Sequence, residues 1–364
     1  IDRMAKLTKE DIVAFANKYL KEDNYAVIYK KQGKDPNEKK MTKPEITPII
    51  TNRDVASPFL VEVQESAVKP IEPVFLDYQK DMSQLKAKSD IPVLYKQNVA
   101  NDLFQLIYVF DMGNNHDKAL GTAFDYLEYL GTSDMTPEEL KSEFYRLACT
   151  FYVSPGNERT YVVLSGLNEN MPAAVQLFEK LLADAQVNKE AYTNMTSDIL
   201  KARSDAKLNQ GQNFSRLMSF AMYGPKSPAT NLLTEAELTN MNPQELVDRI
   251  HNQNSYKHRI LYYGPSSSKD LLATINQYHQ VPAALKDIPA GNEYSYLETP
   301  VTKVLVAPYD AKQIYMAQIS NLDKKYDPAI EPIRALYDEY FGGGMNSIVF
   351  QEMRETRGLA YSAW

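Results

Sequence analysis

The chain is nearly without cysteine: Cys149 is the single one among 364 residues, so no internal disulfide can brace it. It lies in the apolar run LACTFYV and reads as a small buried hydrophobe rather than a nucleophile. A lone cysteine leaves the redox compartment open. Histidine is scarce, with four residues at His116, His251, His258 and His279. No apolar run approaches the roughly 20 residues that a membrane-spanning helix needs. The opening, IDRMAKLTKEDIVAF, is polar and helix-like, with neither the profile of a secretory signal nor an initiator methionine. The expectation is a chain that begins inside a longer protein. Basic charge is also short. With 40 Lys and Arg against 47 Asp and Glu, the net charge is −7, which argues against nucleic acid as the main partner. The basic cluster KKQGKDPNEKK, 30–40, reads as a solvated linker.

What is present suffices for real cores, with 44% hydrophobic residues and length for two or three domains. The stretch 7–20, LTKEDIVAFANKYL, has Thr8 as N-cap, Leu7 and Ile12 at staple positions, and a stripe of Ile12, Phe15, Ala16 and Tyr19. It predicts a helix. Asn24 to Lys31 predicts a strand. The Lys- and Pro-rich stretch that follows reads as a linker. A new unit starts near Pro73. There IPVLYKQ and DLFQLIYVFDMG predict two strands joined by a short turn at Asn98 to Asn101. Helices follow at 117–130 and 133–148, the second with Thr136 as N-cap, Pro137 at the first helical position and Glu139 completing a capping box. A strand pair over 149–167 precedes a helix over 170–185 with Val175, Phe178, Leu181 and Leu182 on one side. Further helices are expected over 189–208, 212–223 and MNPQELVDRIHNQ, before the strand HRILYYG.

Two internal correspondences suggest a repeated module. The helix after Thr8 and its following strand parallel the helix after Asn242 and the strand at 258–264, with Ile12 and Leu246 in matching places. YLEYLGTSDMT, 126–136, parallels YDEYFGGGMNS, 337–347: Tyr126, Glu128, Tyr129 and Gly131 match Tyr337, Glu339, Tyr340 and Gly342. The chain is then expected to hold the tail of one copy, a whole second copy, and the opening of a third that begins near Val301 and stops early.

The run Gly342-Gly343-Gly344-Met345-Asn346-Ser347, with Phe350-Gln351-Glu352-Met353-Arg354-Glu355 and Arg357-Gly358-Leu359-Ala360-Tyr361-Ser362, resembles a known signature. It is that of the C-terminal half of inverted-zincin peptidases of the pitrilysin, insulin-degrading enzyme and mitochondrial processing peptidase type. Leu130 to Ala185 resembles the same family's core helix-strand pattern, and the resemblance covers nearly the whole chain outside the linker. It implies an α+β fold of repeated modules, each a mixed, mostly antiparallel sheet with helices packed on one face. This is the LuxS/mitochondrial processing peptidase-like metallohydrolase fold. It also implies two homologous halves of two domains each, closed around a peptide chamber. Residues 1–31 would end the second domain, 32–72 would link the halves, 73–300 would be the complete third domain, and 301–364 would open the fourth.

Zinc catalysis needs three protein ligands and an open position for water. The family's H-x-x-E-H motif is absent from this chain. The corresponding place reads Asp125-Tyr126-Leu127-Glu128-Tyr129, with both histidines lost. No metal and no cofactor are therefore expected in this chain, and zinc would sit in the N-terminal half of a longer parent. The resemblance assigns catalytic contacts to Arg354 and Tyr361: the phenol would donate to a carbonyl oxygen as it becomes an oxyanion, and the guanidinium would hold a backbone carbonyl. Gly343, Gly344, Met345 and Asn346 would bind substrate.

From the residues alone, the helix from Met345 is expected to bury Met345, Ile348, Val349 and Met353 and to end at Gly358. Leu359 to Trp364 is expected to follow as a strand. A plainer reading keeps Arg354 as a surface charge and Tyr361 as a core aromatic. Arg357 fits the motif too and is expected to face elsewhere. The glycines join helix to helix, whereas a phosphate cradle follows a strand.

The functional expectation is the non-zinc, C-terminal half of a zinc metallopeptidase, inactive alone and acting on a peptide or unfolded segment that adds a strand to a sheet edge. A bacterial periplasmic or envelope location is expected, with the cytoplasm left open. The rivals are an inactive scaffold subunit of the same fold and a plain peptide-binding module.

Overall fold

The computed structural model describes residues 6–30, 33, 42, 56–311, 313–321 and 325–363. They fall into two units, Ile1–Pro73 and Val74–Trp364. In the first unit, α1 (Lys9–Tyr19) starts at Thr8, whose hydroxyl accepts from the Asp11 amide at 3.2 Å while the Asp11 carboxylate accepts from the Thr8 amide at 2.9 Å. Those bonds hold the Asp11 carboxyl below its ordinary range. The stripe predicted for this helix stays exposed at Ile12, Phe15 and Tyr19. A second helix, α2 (Pro58–Glu65), falls inside the stretch read as linker, capped by Ser57. Most of 32–55 lies outside the described residues. The strand expected from Asn24 is not formed over 25–30, which is irregular and exposed, and Lys31 lies outside the described residues. An apolar pattern makes a strand only where a neighbour completes its hydrogen-bond ladder, and none is present among the described residues.

The second unit is built on a six-stranded sheet. Its strands are β1 (Ser83–Lys86), β2 (Pro92–Gln97), β3 (Leu103–Phe110), β4 (Cys149–Pro155), β5 (Thr160–Leu167) and β6 (His258–Gly264), in the order β1-β2-β6-β3-β5-β4. β2 and β6 run parallel, and the other neighbours are antiparallel. The strand pair predicted over 149–167 forms as β4 and β5. The predicted turn between β2 and β3 also forms, with the Asn98 amide donating to Asn101 at 2.7 Å and to the Leu103 carbonyl at 3.0 Å. The strands it joins are not neighbours, because β6 inserts between them and hydrogen-bonds to both.

Alternation decides the faces of this sheet. Val93, Tyr95, Phe104, Leu106, Tyr108, Phe110, Val162, Leu164, Ile260 and Tyr262 point into the core. The helices that cover them are α3 (Leu120–Leu127), α4 (Pro137–Arg146), α5 (Met171–Asp184), α6 (Lys189–Ala206), α8 (Glu235–Asn240), α9 (Gln244–Asn252) and α10 (Ser268–Tyr278), of which α5 and then α3 bury the most, while α7 (Gln210–Tyr223) buries no side chain fully. Val175, Phe178, Leu181 and Leu182 of α5 are buried as the periodicity predicts. Each such side chain contributes about 1.5–3 kcal/mol by leaving water. Cys149 is buried in the same core. On the other face, Tyr152, Val163, Ile107, Leu261, Leu94 and Gln84 form one row across the six strands. Part of that row lines a groove of about 560 Å³ with Tyr78 and Met82.

Beyond α10 the chain takes irregular form. Residues 302–310 and 314–320, expected to begin a third module, make no strand. They follow α7 instead: Gln210 donates to the Gln313 carbonyl at 2.7 Å, Tyr309 bonds the Leu208 carbonyl, and Phe214 meets Tyr315 edge-on. α11 (Glu331–Asp338) then leads into the glycine-rich end.

Candidate functional site

α11 runs into a π-helical turn at Glu339–Gly343, and a second π-helical stretch spans Phe350–Thr356. Such turns are rare in ordinary helices and frequent at functional sites. Between them the chain turns at Gly344 to Asn346. Ser347 is buried and starts the next helix, its hydroxyl accepting from the Phe350 amide at 3.3 Å. A serine just ahead of a helix is an N-cap signal, and it was the legible clue to this start. The stripe predicted from Met345 is not buried: Met345 is 72% exposed and Ile348 is exposed too. The strand predicted from Leu359 does not form over 359–363, and Trp364 lies outside the described residues. Both differences have one physical cause: among the described residues the helix has no packed partner over its apolar side, and the tail has no strand to pair with.

Gly358 ends the helix with φ of 58°. This left-handed turn costs glycine nothing sterically. Its amide donates to the Arg354 carbonyl at 3.0 Å, and the Leu359 amide donates to Met353 at 2.9 Å. The reversal brings Tyr361 back to Arg354. The guanidinium carbon stands 4.9 Å from the Tyr361 ring centre and 4.7 Å from that of Phe350. Cation–ring contacts of this kind at open sites contribute about 0.5–1 kcal/mol. Arg354 Nε also lies 3.7 Å from the Glu355 carboxylate. Tyr361 is 84% exposed, so it is not a core aromatic. Arg357 is engaged elsewhere, 3.1 Å from Glu352.

Gly343 and Gly344 lie beneath the Glu339 carboxylate, whose oxygens would stand 2.8 Å from a Cβ at either position. Met345 and Asn346 are exposed on the turn after them. Arg354 and Tyr361 are thus brought together, while Gly343 to Asn346 form a distinct turn ahead of the intervening helix.

The positions matching a zinc motif lie on α3 and just past its end. Tyr126 is buried, donating to the Asn188 carbonyl at 2.6 Å and accepting from its amide at 2.9 Å. The Asp125 carboxyl is pushed up, chiefly by local desolvation and then by the Glu128 charge. These residues do not fit a zinc ion: Asp125 and Tyr129 stand at the histidine positions, so two carboxylates remain without an imidazole, and the neighbouring Tyr126 phenol is committed to the backbone. Among the described residues no three His, Cys, Asp or Glu side chains are grouped to hold a metal. His116 accepts from the Gly113 amide at 3.1 Å, and His251 Nε2 lies 3.2 Å from the Ala185 carbonyl. His258 and His279 meet each other and Glu179 in the core. Sequence reasoning missed that grouping, although Glu179 inside the apolar stripe of α5 was a signal. It also missed a polar cavity of about 830 Å³, lined by His116, Arg159, Tyr223 and Tyr294. There Asp111 accepts from Arg259 at 2.6 Å and Arg159 at 2.8 Å, and its carboxyl is held low, by Arg259 first.

With this geometry in place, likeness to known proteins can be read. The chain matches no family model. It is 20% identical over 263 residues to an uncharacterized zinc protease of Rickettsia felis, covering 68% of this chain and 60% of that protein. The chain thus spans somewhat under two thirds of the curated relative. Among solved structures it resembles a peptidase M16 inactive domain from Pseudomonas fluorescens, with TM-score 0.58 and 16% identity over 77% of this chain and 69% of that one. It also resembles the periplasmic protease PqqL of Escherichia coli, with TM-score 0.53 and 14% identity over 80% of this chain and 30% of that one. The fold is that of pitrilysin-like M16 peptidase domains, in agreement with the resemblance read from the terminal motif.

Proposed function

We propose that this chain is the non-zinc, C-terminal half of a zinc-dependent metallopeptidase. It supplies part of the wall of a peptide chamber, while zinc is bound by the N-terminal half of the parent. The observation that carries this reading is the Arg354 guanidinium stacked on the ring of an exposed Tyr361. The pair offers a planar donor fork and a phenolic O–H side by side at a surface. Tyr361 donates to the peptide carbonyl as negative charge develops on its oxygen, and Arg354 fixes a neighbouring carbonyl. Gly343, Gly344, Met345 and Asn346 contact the substrate backbone. The substrate is a peptide or an unfolded segment, bound as an added strand. The domain division follows the same reading: 1–31 closes the second domain, 73–300 is the third and 301–364 opens the fourth. No described helix is long and apolar enough to cross a membrane, and the periplasmic relative supports a bacterial periplasmic or envelope location.

The test is to assay the complete parent on a quenched fluorescent peptide, with and without a chelator. Chelator-sensitive cleavage is expected. Tyr361→Phe should lower kcat about 10²–10³-fold, the usual effect of losing one oxyanion donor. A second reading is favoured by the likeness to an M16 domain described as inactive: a scaffold or peptide-binding module in which neither half cleaves. A complete parent that binds peptide and never hydrolyses it would establish that reading instead.

A further inference from the structure

We infer that Glu179, His279 and His258 hold a permanently bound proton in the core, with His279 doubly protonated at neutral pH. Glu179 and His279 are 1% and 0% exposed, and His258 is buried beside them. The hydrogen bonds form one chain. His258 Nδ1 lies 2.7 Å from the Tyr256 carbonyl. A carbonyl only accepts, so that nitrogen carries hydrogen. His258 Nε2 lies 2.8 Å from His279 Nε2, and His279 Nδ1 lies 2.6 Å from Glu179 Oε1. Each of these three short contacts needs one proton. An ionised glutamate with two neutral histidines supplies two, and the third contact would then set two lone pairs against each other in a dry core.

The third proton belongs between Glu179 and His279. Glu179 Oε2 accepts from the Asn254 amide at 2.9 Å and from the Gln280 backbone N–H at 3.0 Å, donors that suit an anion. Burial, and then the neighbouring charge of His279, hold His258 neutral, its pKa lowered to about 4. Tyr108 of β3, its ring 4.5 Å from that of His279, is held as the neutral phenol by burial and by the Glu179 charge. Asn254 and Phe110, both uncharged, also border the cluster. The lysines at the adjoining bridge between Tyr256 and Lys286 are engaged elsewhere, Lys257 with Asp287 and Lys286 over the Tyr256 ring. The cluster therefore joins α5, β6 and the end of α10 through a buried imidazolium–carboxylate pair.

The unfolded chain above about pH 6.5 carries two protons on these three groups, against three in the fold. Folding then takes up a proton, and the folding constant falls about tenfold more per pH unit above pH 7 than it would without the cluster. Glu179→Gln removes that need. Its carboxamide N–H fills the gap to His279 Nδ1, and its oxygen still accepts from Asn254 and Gln280. Urea unfolding of the chain and the variant between pH 7 and 8.5, together with ¹⁵N-histidine NMR of the unaltered chain, tests the proposal. The expected results are a variant less pH-dependent by one proton, His279 protonated on both nitrogens, and His258 as the Nδ1–H tautomer. Equal pH slopes, or a neutral His279 at pH 7.5, would overturn it. A glutamate serving only to pack would shift stability equally at every pH. Should the variant fail to fold, the NMR assignment alone decides.

Discussion

Arg354 and Tyr361 are seven positions apart, and the sequence motif names both, but their contact depends on Gly358. Its φ of 58° reverses the chain, and the wide π-helical turn sets Phe350 on the guanidinium's other side. Neither conformation is written in the spacing alone. Lysine at 354 would keep the charge and lose the planar face that stacks on two rings. In the complete parent, Arg354→Lys is expected to lower kcat/KM roughly tenfold, about 1.4 kcal/mol. Unchanged kcat/KM would remove Arg354 from the site. Tyr126 marks the limit of the sequence at this scale. It reads as one residue of a lost zinc motif, yet its phenol serves to anchor Asn188 at the start of α6.

At the scale of elements, helices were legible where caps and periodicity agreed. α4 begins as its capping box predicts, with the Thr136 hydroxyl accepting from Glu139 at 3.2 Å and the Glu139 carboxylate accepting from the Thr136 amide at 2.8 Å. Thr136→Ala is expected to cost about 1 kcal/mol, read as a lower midpoint in urea with an unchanged slope. Strands were less legible. β2, β3 and β6 form because they bind one another. The segments from Asn24 and from Leu359 have similar patterns and remain irregular where described. A helix closes its hydrogen bonds within itself, while a strand needs a partner that its own residues do not specify.

For the whole molecule, the helix-covered sheet face concentrates the stabilising burial, and a dense polar cluster there contributes to the pH response. His258 has an ordinary pKa near 6.5 and about 4 in the fold. Because the folded value is the lower one, the unfolded chain takes up the proton first as pH falls. Stability present above pH 6.5 should therefore be lost between pH 6.5 and 4, by an amount on the order of 3 kcal/mol. Urea midpoints measured from pH 7 to 4.5 check this, and a flat profile for His258→Phe beside a falling one for the unaltered chain is the expected contrast.

The sequence by itself determined the local choices: the capped helices, the buried stripe of α5, the β4–β5 pair and the resemblance carried by the terminal motif. Those depend on contacts within a few residues. Tertiary structure alone decided that β6 enters between β2 and β3, that the described segments 25–30 and 359–363 form no strand, and that Glu179, His258 and His279 meet. These outcomes join residues up to 171 positions apart, as in the Tyr95 hydroxyl's bond to the Ser266 carbonyl, where no local pattern can name the partner.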